Sequence, residues 1–195
     1  MPTYDQSWDA KLDVRLPLSL DSLPNPDWYW SVGIGVIATA SSDGTTFNAS
    51  NALEIGNDDQ NPAGRKFNPE VVVNGHESGD GIGVTPTTAE SATLTLSFDA
   101  ATKILTFGNL SGPLRTFDTS VTHLQDSDPL QIVIGFSGAA TVPPGISVPQ
   151  DTPLALDNFS VTTPVPETNT YALLIAGLAW TGWNLGRRKR RLRPE

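Results

Sequence analysis

Ala92-Thr93-Leu94-Thr95-Leu96-Ser97-Phe98, Asp99-Ala100-Ala101-Thr102 and Lys103-Ile104-Leu105-Thr106-Phe107 together decide the fold class. On both sides of a short polar turn, apolar residues alternate with hydroxyl-bearing or charged ones. Successive side chains of a strand point to opposite faces, so this alternation buries one face and wets the other. Two such runs joined by four residues form a β-hairpin.

Outward from that hairpin the same grammar recurs. Trp8-Asp9-Ala10-Lys11-Leu12-Asp13-Val14-Arg15-Leu16 alternates, and Pro17, Pro24 and Pro26 then break it. Trp28–Thr39 is nearly continuous in apolar and small residues. It is expected as a strand covered on both faces, with Gly33 and Gly35 permitting close packing or a bulge. Ser41–Gly44 reads as a turn, Ala52–Ile55 as a short strand, and Gly56–Lys66 as a polar loop. Gln131–Phe136 and Leu154–Thr162 complete the series. No segment before residue 170 shows a sustained 3.6-residue period, and 17 Gly with 16 Pro punctuate the chain too often for a helical bundle. The expectation is an all-β domain over residues 1–163, with roughly nine to twelve strands in a two-sheet antiparallel sandwich.

Charge narrows the partners. Residues 1–163 carry six Lys and Arg against 19 acids, a body charge near −13, while six further cations crowd the last nine residues. Phosphate backbones require clustered Lys and Arg, so the body is not expected to bind nucleic acid. With no cysteine, disulfides, thiolate metal sites and cysteine nucleophiles are excluded.

Candidate chemistry is sparse. His76 and His123 have no second ligand at metal-binding spacing and read as solvated or core histidines. Glycoside hydrolysis needs two carboxylates about 5–10 Å apart. The nearest acids, Asp58-Asp59, Glu77 with Asp80, and Asp126 with Asp128, all read as solvated loop charges. No catalytic residues are therefore assigned, and the chain is not expected to be an enzyme. Asn57, Asp58, Asp59 and Asn61 gather the carboxylates and amides that Ca2+ favours; a polar surface turn accounts for them more simply. Trp28, Tyr29 and Trp30, beside Asn25 and Asp27, offer aromatic surface for a sugar; Trp28 and Trp30, pointing to one face of a strand, are more simply core residues.

The C-terminal 32 residues follow different rules. A turn-rich linker, residues 164–170, precedes an uncharged stretch over 171–186 that is apolar on every helical face, and a basic tail fills 187–195. Tyr171, Leu173, Leu174, Ile175, Leu178, Trp180 and Trp183 form its anchor side chains, and Arg187-Arg188-Lys189-Arg190-Arg191 its basic stop. As a helix, Tyr171–Leu185 spans roughly 22–25 Å, short of the ~30 Å hydrocarbon core. Snorkelling arginines and local thinning cover the deficit. The positive-inside rule keeps the arginines cytoplasmic and exports the body.

Val165-Pro166-Glu167, a spacer, an apolar segment with Gly177 and Gly182, and a terminal arginine cluster resemble the PEP-CTERM sorting signal. Thr168 stands where that signal usually has a second proline. The resemblance implies a Gram-negative source, export, transient inner-membrane anchoring, and cleavage by an exosortase near the motif. Release towards the cell surface and the exopolysaccharide follows. Proteins of this kind begin with a secretory signal, whereas Met1–Asp5 shows neither a basic nor an apolar leader region, so the natural start is expected further upstream.

The body resembles concanavalin A-like jelly rolls (legume lectins, laminin-G domains, glucanases). The early Trp-containing strand, Phe98–Lys103, Ile134-Gly135-Phe136-Ser137 and closing Leu156-Asp157-Asn158-Phe159 carry that likeness. It implies a lectin-like, non-catalytic carbohydrate-binding protein. The alternatives are a structural envelope protein without ligand and a diverged glycoside hydrolase.

Overall fold

A computed structural model describes residues 1–18, 28–57, 64–78, 84–140 and 154–163. The sorting motif, the stretch 171–186 and the basic tail lie outside the described residues, as do Asp58, Asp59 and Asn61. Among the described residues no helix is long and apolar enough to cross a membrane.

The expected antiparallel β-sandwich is present. Eleven strands are seen among the described residues: β1 (Trp8–Arg15), β2 (Trp28–Thr39), β3 (Thr46–Asn57), β4 (Gly64–Val73), β5 (His76–Glu77), β6 (Thr85–Pro86), β7 (Ser91–Asp99), β8 (Ile104–Asn109), β9 (Gly112–Asp118), β10 (Gln131–Ala140) and β11 (Ala155–Thr162). One sheet has the order β11-β1-β7-β8-β9. The other runs β10-β2-β3-β4-β5, with β6 also pairing β4. Across the interface, β1 meets β2, β7 meets β2 and β3, and β9 meets β4.

The alternation read from the sequence sets which side chains meet. Trp8, Leu12, Leu94, Leu96, Phe98, Leu105 and Phe107 of the five-stranded sheet face Val32, Ile34, Val36, Phe47, Leu53 and Ile55 of its partner, all buried. Gln131, Val133 and Gly135 of β10 fall instead in the outer register of the six-stranded sheet. The hairpin over 92–107 forms as expected, and Lys103, at φ 58, closes its turn. Lys103 Nζ then sits 4.1 Å from the Tyr4 ring centroid and 3.0 Å from Asp126 Oδ1.

β5, β6 and β9 match no stretch read as a strand from the sequence, and two further strands, β3 and β4, depart from that reading. β3 begins six residues before Ala52, because Phe47, Ala49, Leu53 and Ile55 keep the inward alternation. Asn51 occupies the inward position between them. Its Nδ2 donates across the interface to Thr95 O at 2.9 Å and Gly108 O at 2.7 Å, while its Oδ1 is buried with no hydrogen-bond partner among the described residues. The polar loop expected to run to Lys66 gives way at Gly64 to β4, whose charges and Pro69 disguise a strand. Pro69 is tolerated because, among the described residues, β6 pairs only Lys66 and Phe67, and β5 only Val72 and Val73, so neither asks Pro69 for an N–H. Arg65, buried, donates to the carbonyls of Leu16 and Pro17 and so fixes the exit of β1.

Of the acids read as solvated loop charges, Asp126 and Glu77 are exposed, but Asp128 is 2% exposed. Its carboxylate accepts the backbone N–H groups of Gln125 (2.8 Å) and Ser41 (3.1 Å), which also hold its pKa below the ordinary carboxylate value. His76 and His123 are exposed. Folding supplies His123 with a partner 80 residues away: its Nδ1 lies 2.6 Å from Asp43 Oδ2. That contact, with the Thr45 N–H, draws the Asp43 carboxyl down to about 2.

Candidate functional site

The closing Leu156-Asp157-Asn158-Phe159 segment has a definite job. Between Lys11 and Asp13 the β1–β11 register shifts, so Asn158 and Phe159 together oppose Leu12. This is a β-bulge, and Asn158 takes φ 50, a left-handed conformation that asparagine tolerates better than most side chains. From that bulge Asn158 Nδ2 donates to Asp13 Oδ2 at 2.7 Å, while Thr93 Oγ1 donates to Asp13 Oδ1 at 2.5 Å. Both bonds, Thr93's the stronger, hold the Asp13 pKa below its ordinary value. Asp13 and Asp157 are direct cross-strand partners. Side chains so placed have Cβ atoms roughly 4.5–5.5 Å apart, and like charges there are unfavourable.

These two carboxylates lie in a groove of about 580 Å³ that crosses one end of the five-stranded sheet. It runs from Asp157 on β11, over Asp13 and Arg15 on β1 and Ser91 and Thr93 on β7, to Asn109, Leu110 and Ser111 at the β8–β9 tip. At about 4.8 Å per strand the crossing measures roughly 14 Å. Asn109 Oδ1 accepts the Ser111 N–H at 2.8 Å and shapes the tip, from which Leu110 projects, 76% exposed. Val14, Phe67, Ala89 and Ala92 provide apolar wall. Carboxylates, hydroxyls, an amide and apolar surface thus share one open cleft, the mixture that polyhydroxylated ligands require.

A second polar cluster occupies the outer face of the six-stranded sheet. Lys66, opposite Glu54 in the β3–β4 register, places its Nζ 3.0 Å from Glu54 Oε1, and both residues are buried. Asn68 Nδ2 donates to the other oxygen of Glu54 at 3.1 Å. Glu70, further along β4 on the same face, has its pKa raised by burial and then by the charges of Glu77 and Glu54. Among the described residues, no three His, Cys, Asp or Glu side chains are grouped to hold a metal ion.

Of the aromatic trio read from the sequence, the described residues show the side chain of Trp30 alone. Trp30 lies opposite Ile55 and packs against the core, with its Nε1 buried and lacking a hydrogen-bond partner among the described residues. The side chains of Trp28, Tyr29 and Asn57 lie outside the described residues. Asp13 reads in the sequence as the wet side of an alternating strand, and Asn109, in register with buried Leu94, as the end of one. Only the pairing of the first strand with the last makes Asp13 and Asp157 neighbours.

No family model matches the chain, and no curated protein does. Among solved structures, a functionally unknown protein from Saccharomyces cerevisiae is 13% identical at a TM-score of 0.45, over 83% of this chain and 71% of that one.

Proposed function

We propose that this chain is an exported, non-catalytic, lectin-like envelope protein whose groove over Asp13, Thr93, Asn109 and Asp157 binds carbohydrate. The observation that carries the reading is the composition of that groove, with hydrogen-bonding groups of both kinds beside apolar surface at Leu110. On this reading the sandwich is a concanavalin A-like jelly roll. The Val165-Pro166-Glu167 motif, the apolar segment over 171–186 and the Arg187–Arg191 cluster form a PEP-CTERM signal. The body is held transiently at the inner membrane of a Gram-negative bacterium, cut by an exosortase, and released to the cell surface and its exopolysaccharide. Co-expression with an exosortase is expected to lower the mass of the chain by about the residues after the motif; an unchanged mass in its presence would remove the sorting reading.

The binding test uses the full chain in a detergent without a sugar headgroup, applied to a glycan array. Selective retention of one glycan class is expected, weakened at least about tenfold by Asn109→Ala or Leu110→Asp. Loss of binding on chelation would bring Ca2+ and the Asn57–Asn61 loop into the site. A folded chain that retains no glycan would leave a structural envelope protein without ligand.

One observation favours a second reading, a diverged glycoside hydrolase on the six-stranded face. Glu54 is paired with Lys66 and Asn68, whereas the raised pKa of Glu70 is what a general acid needs. Against it, the register places Glu54 and Glu70 four positions apart, roughly 13 Å along the strands. Shortened oligosaccharides in mass spectra of the array ligands would decide for the enzyme.

A further inference from the structure

We infer that the groove selects cationic glycans, polymers of amino sugars whose amines are free and protonated, over neutral or uronate-bearing ones. This rests on the carbohydrate reading above and names its ligand class. Asp13 and Asp157 oppose each other directly, a pairing of like charges that sheets disfavour, and the donors on Asp13, Thr93 Oγ1 and Asn158 Nδ2, are neutral and leave its charge in place. Arg15, the one cation among the described lining residues, is already engaged: its Nε and Nη2 donate to Glu90 Oε1 at 3.0 and 2.7 Å. Among its described lining residues the groove therefore presents two carboxylates at its β11 end with no unengaged cation, and neutral hydrogen-bonding groups towards the β8–β9 tip.

A protonated amine answers the first end. Its three N–H donors make charge-assisted bonds to two carboxylates at once, and it sits on a sugar whose hydroxyls suit Ser91, Thr93 and Asn109. An N-acetylated sugar offers one neutral N–H there and leaves both carboxylates facing each other. A uronate adds a third negative charge to a body already near −13.

The test is calorimetric titration of the full chain, in the same detergent, with three hexamers at about pH 5.5, where Asp carboxylates remain ionised: glucosamine, N-acetylglucosamine and galacturonate. The glucosamine hexamer is expected to bind at least about tenfold more tightly than the N-acetylated one, with the galacturonate hexamer weakest. In Asp157→Asn, an exposed position where folding is not at risk, the ratio of the first two affinities should fall towards one. Equal affinities in the native chain, or a preference for the uronate, would overturn the inference while leaving the carbohydrate reading intact. A preference that survives both Asp157→Asn and Asp13→Asn, or a lysine hexamer that binds as tightly as the glucosamine one, would overturn it too. Failure of all three sugars to bind a folded chain would remove the carbohydrate reading itself.

Discussion

The two sheets turn outer faces of very different construction to their surroundings. On the five-stranded sheet, Ser91, Thr93, Thr95, Ser97, Thr106 and Thr116 form a hydroxyl surface with charges near its rim, and each of them is at least partly exposed. On the six-stranded sheet the corresponding face has Gly33 and Gly35 in β2, Ala52 in β3, and a lysine–glutamate pair buried almost as deeply as the core. A Cβ at Gly33 would come within 2.4 Å of the Asn51 carbonyl oxygen, so that strand is bare by necessity. The difference teaches that sheet faces cannot be ranked by polarity alone. The hydroxyl face keeps its polar groups in water and makes few demands on them. The other face has taken charges out of water, and each must be answered by a partner.

The largest effect should come from breaking that answer. Lys66→Met leaves the Glu54 carboxylate buried with only Asn68, and is expected to cost about 3–5 kcal/mol in urea denaturation. Adding Glu54→Gln should restore most of it, since a neutral pair needs no counter-ion. Thr106→Ala on the hydroxyl face should stay within about 0.5 kcal/mol. Equal losses for Lys66→Met and Thr106→Ala would erase the contrast between the faces.

A smaller effect sharpens it. Glu70 has a folded-state pKa above its unfolded value, so its ionisation opposes folding. Its burden is fully present at a pH above the folded pKa and is relieved as pH falls through that value towards the unfolded one. Glu70→Gln should therefore raise stability at neutral pH by a few tenths of a kcal/mol and flatten the gain seen on mild acidification. Asp13, lowered rather than raised, has the opposite sign: its contribution is present above the unfolded pKa and lost as pH falls through the folded one. Parallel pH profiles for Glu70→Gln and the native chain would show that the six-stranded face does not oppose that charge.

Much of the sandwich was legible because its signal is local. The alternation in Trp8–Leu16 and Ala92–Phe107, and the apolar run of Trp28–Thr39, give β1, β7, β8 and β2 almost residue for residue. β4 was missed because Arg65, Lys66, Pro69 and Glu70 look like loop chemistry until their partners are known: Arg65 finds carbonyls of the β1 exit, and Lys66 finds Glu54 on the next strand. The groove was invisible for the same reason on a longer scale. Asp13 and Asp157 are separated by nearly the whole body, and nothing within either strand announces that they will face each other. The histidine expected to stand alone, His123, likewise meets Asp43 only through the fold.

That pairing of first strand with last sets the order in which the body can be finished. Thr162, which reaches back to the Asp9 carbonyl, is 153 residues from it along the chain. A polypeptide leaving the ribosome, or entering a pore, N-terminus first carries β1 with no neighbour until β7 follows, and with one open edge until β11 arrives. Contacts of such long separation close late and slowly. The neighbouring pairs β2–β3, β3–β4, β7–β8 and β8–β9 need no such wait, so the body can be largely paired while the β1 edge stands open, and the five-stranded sheet is completed only once nearly all of the body has been made.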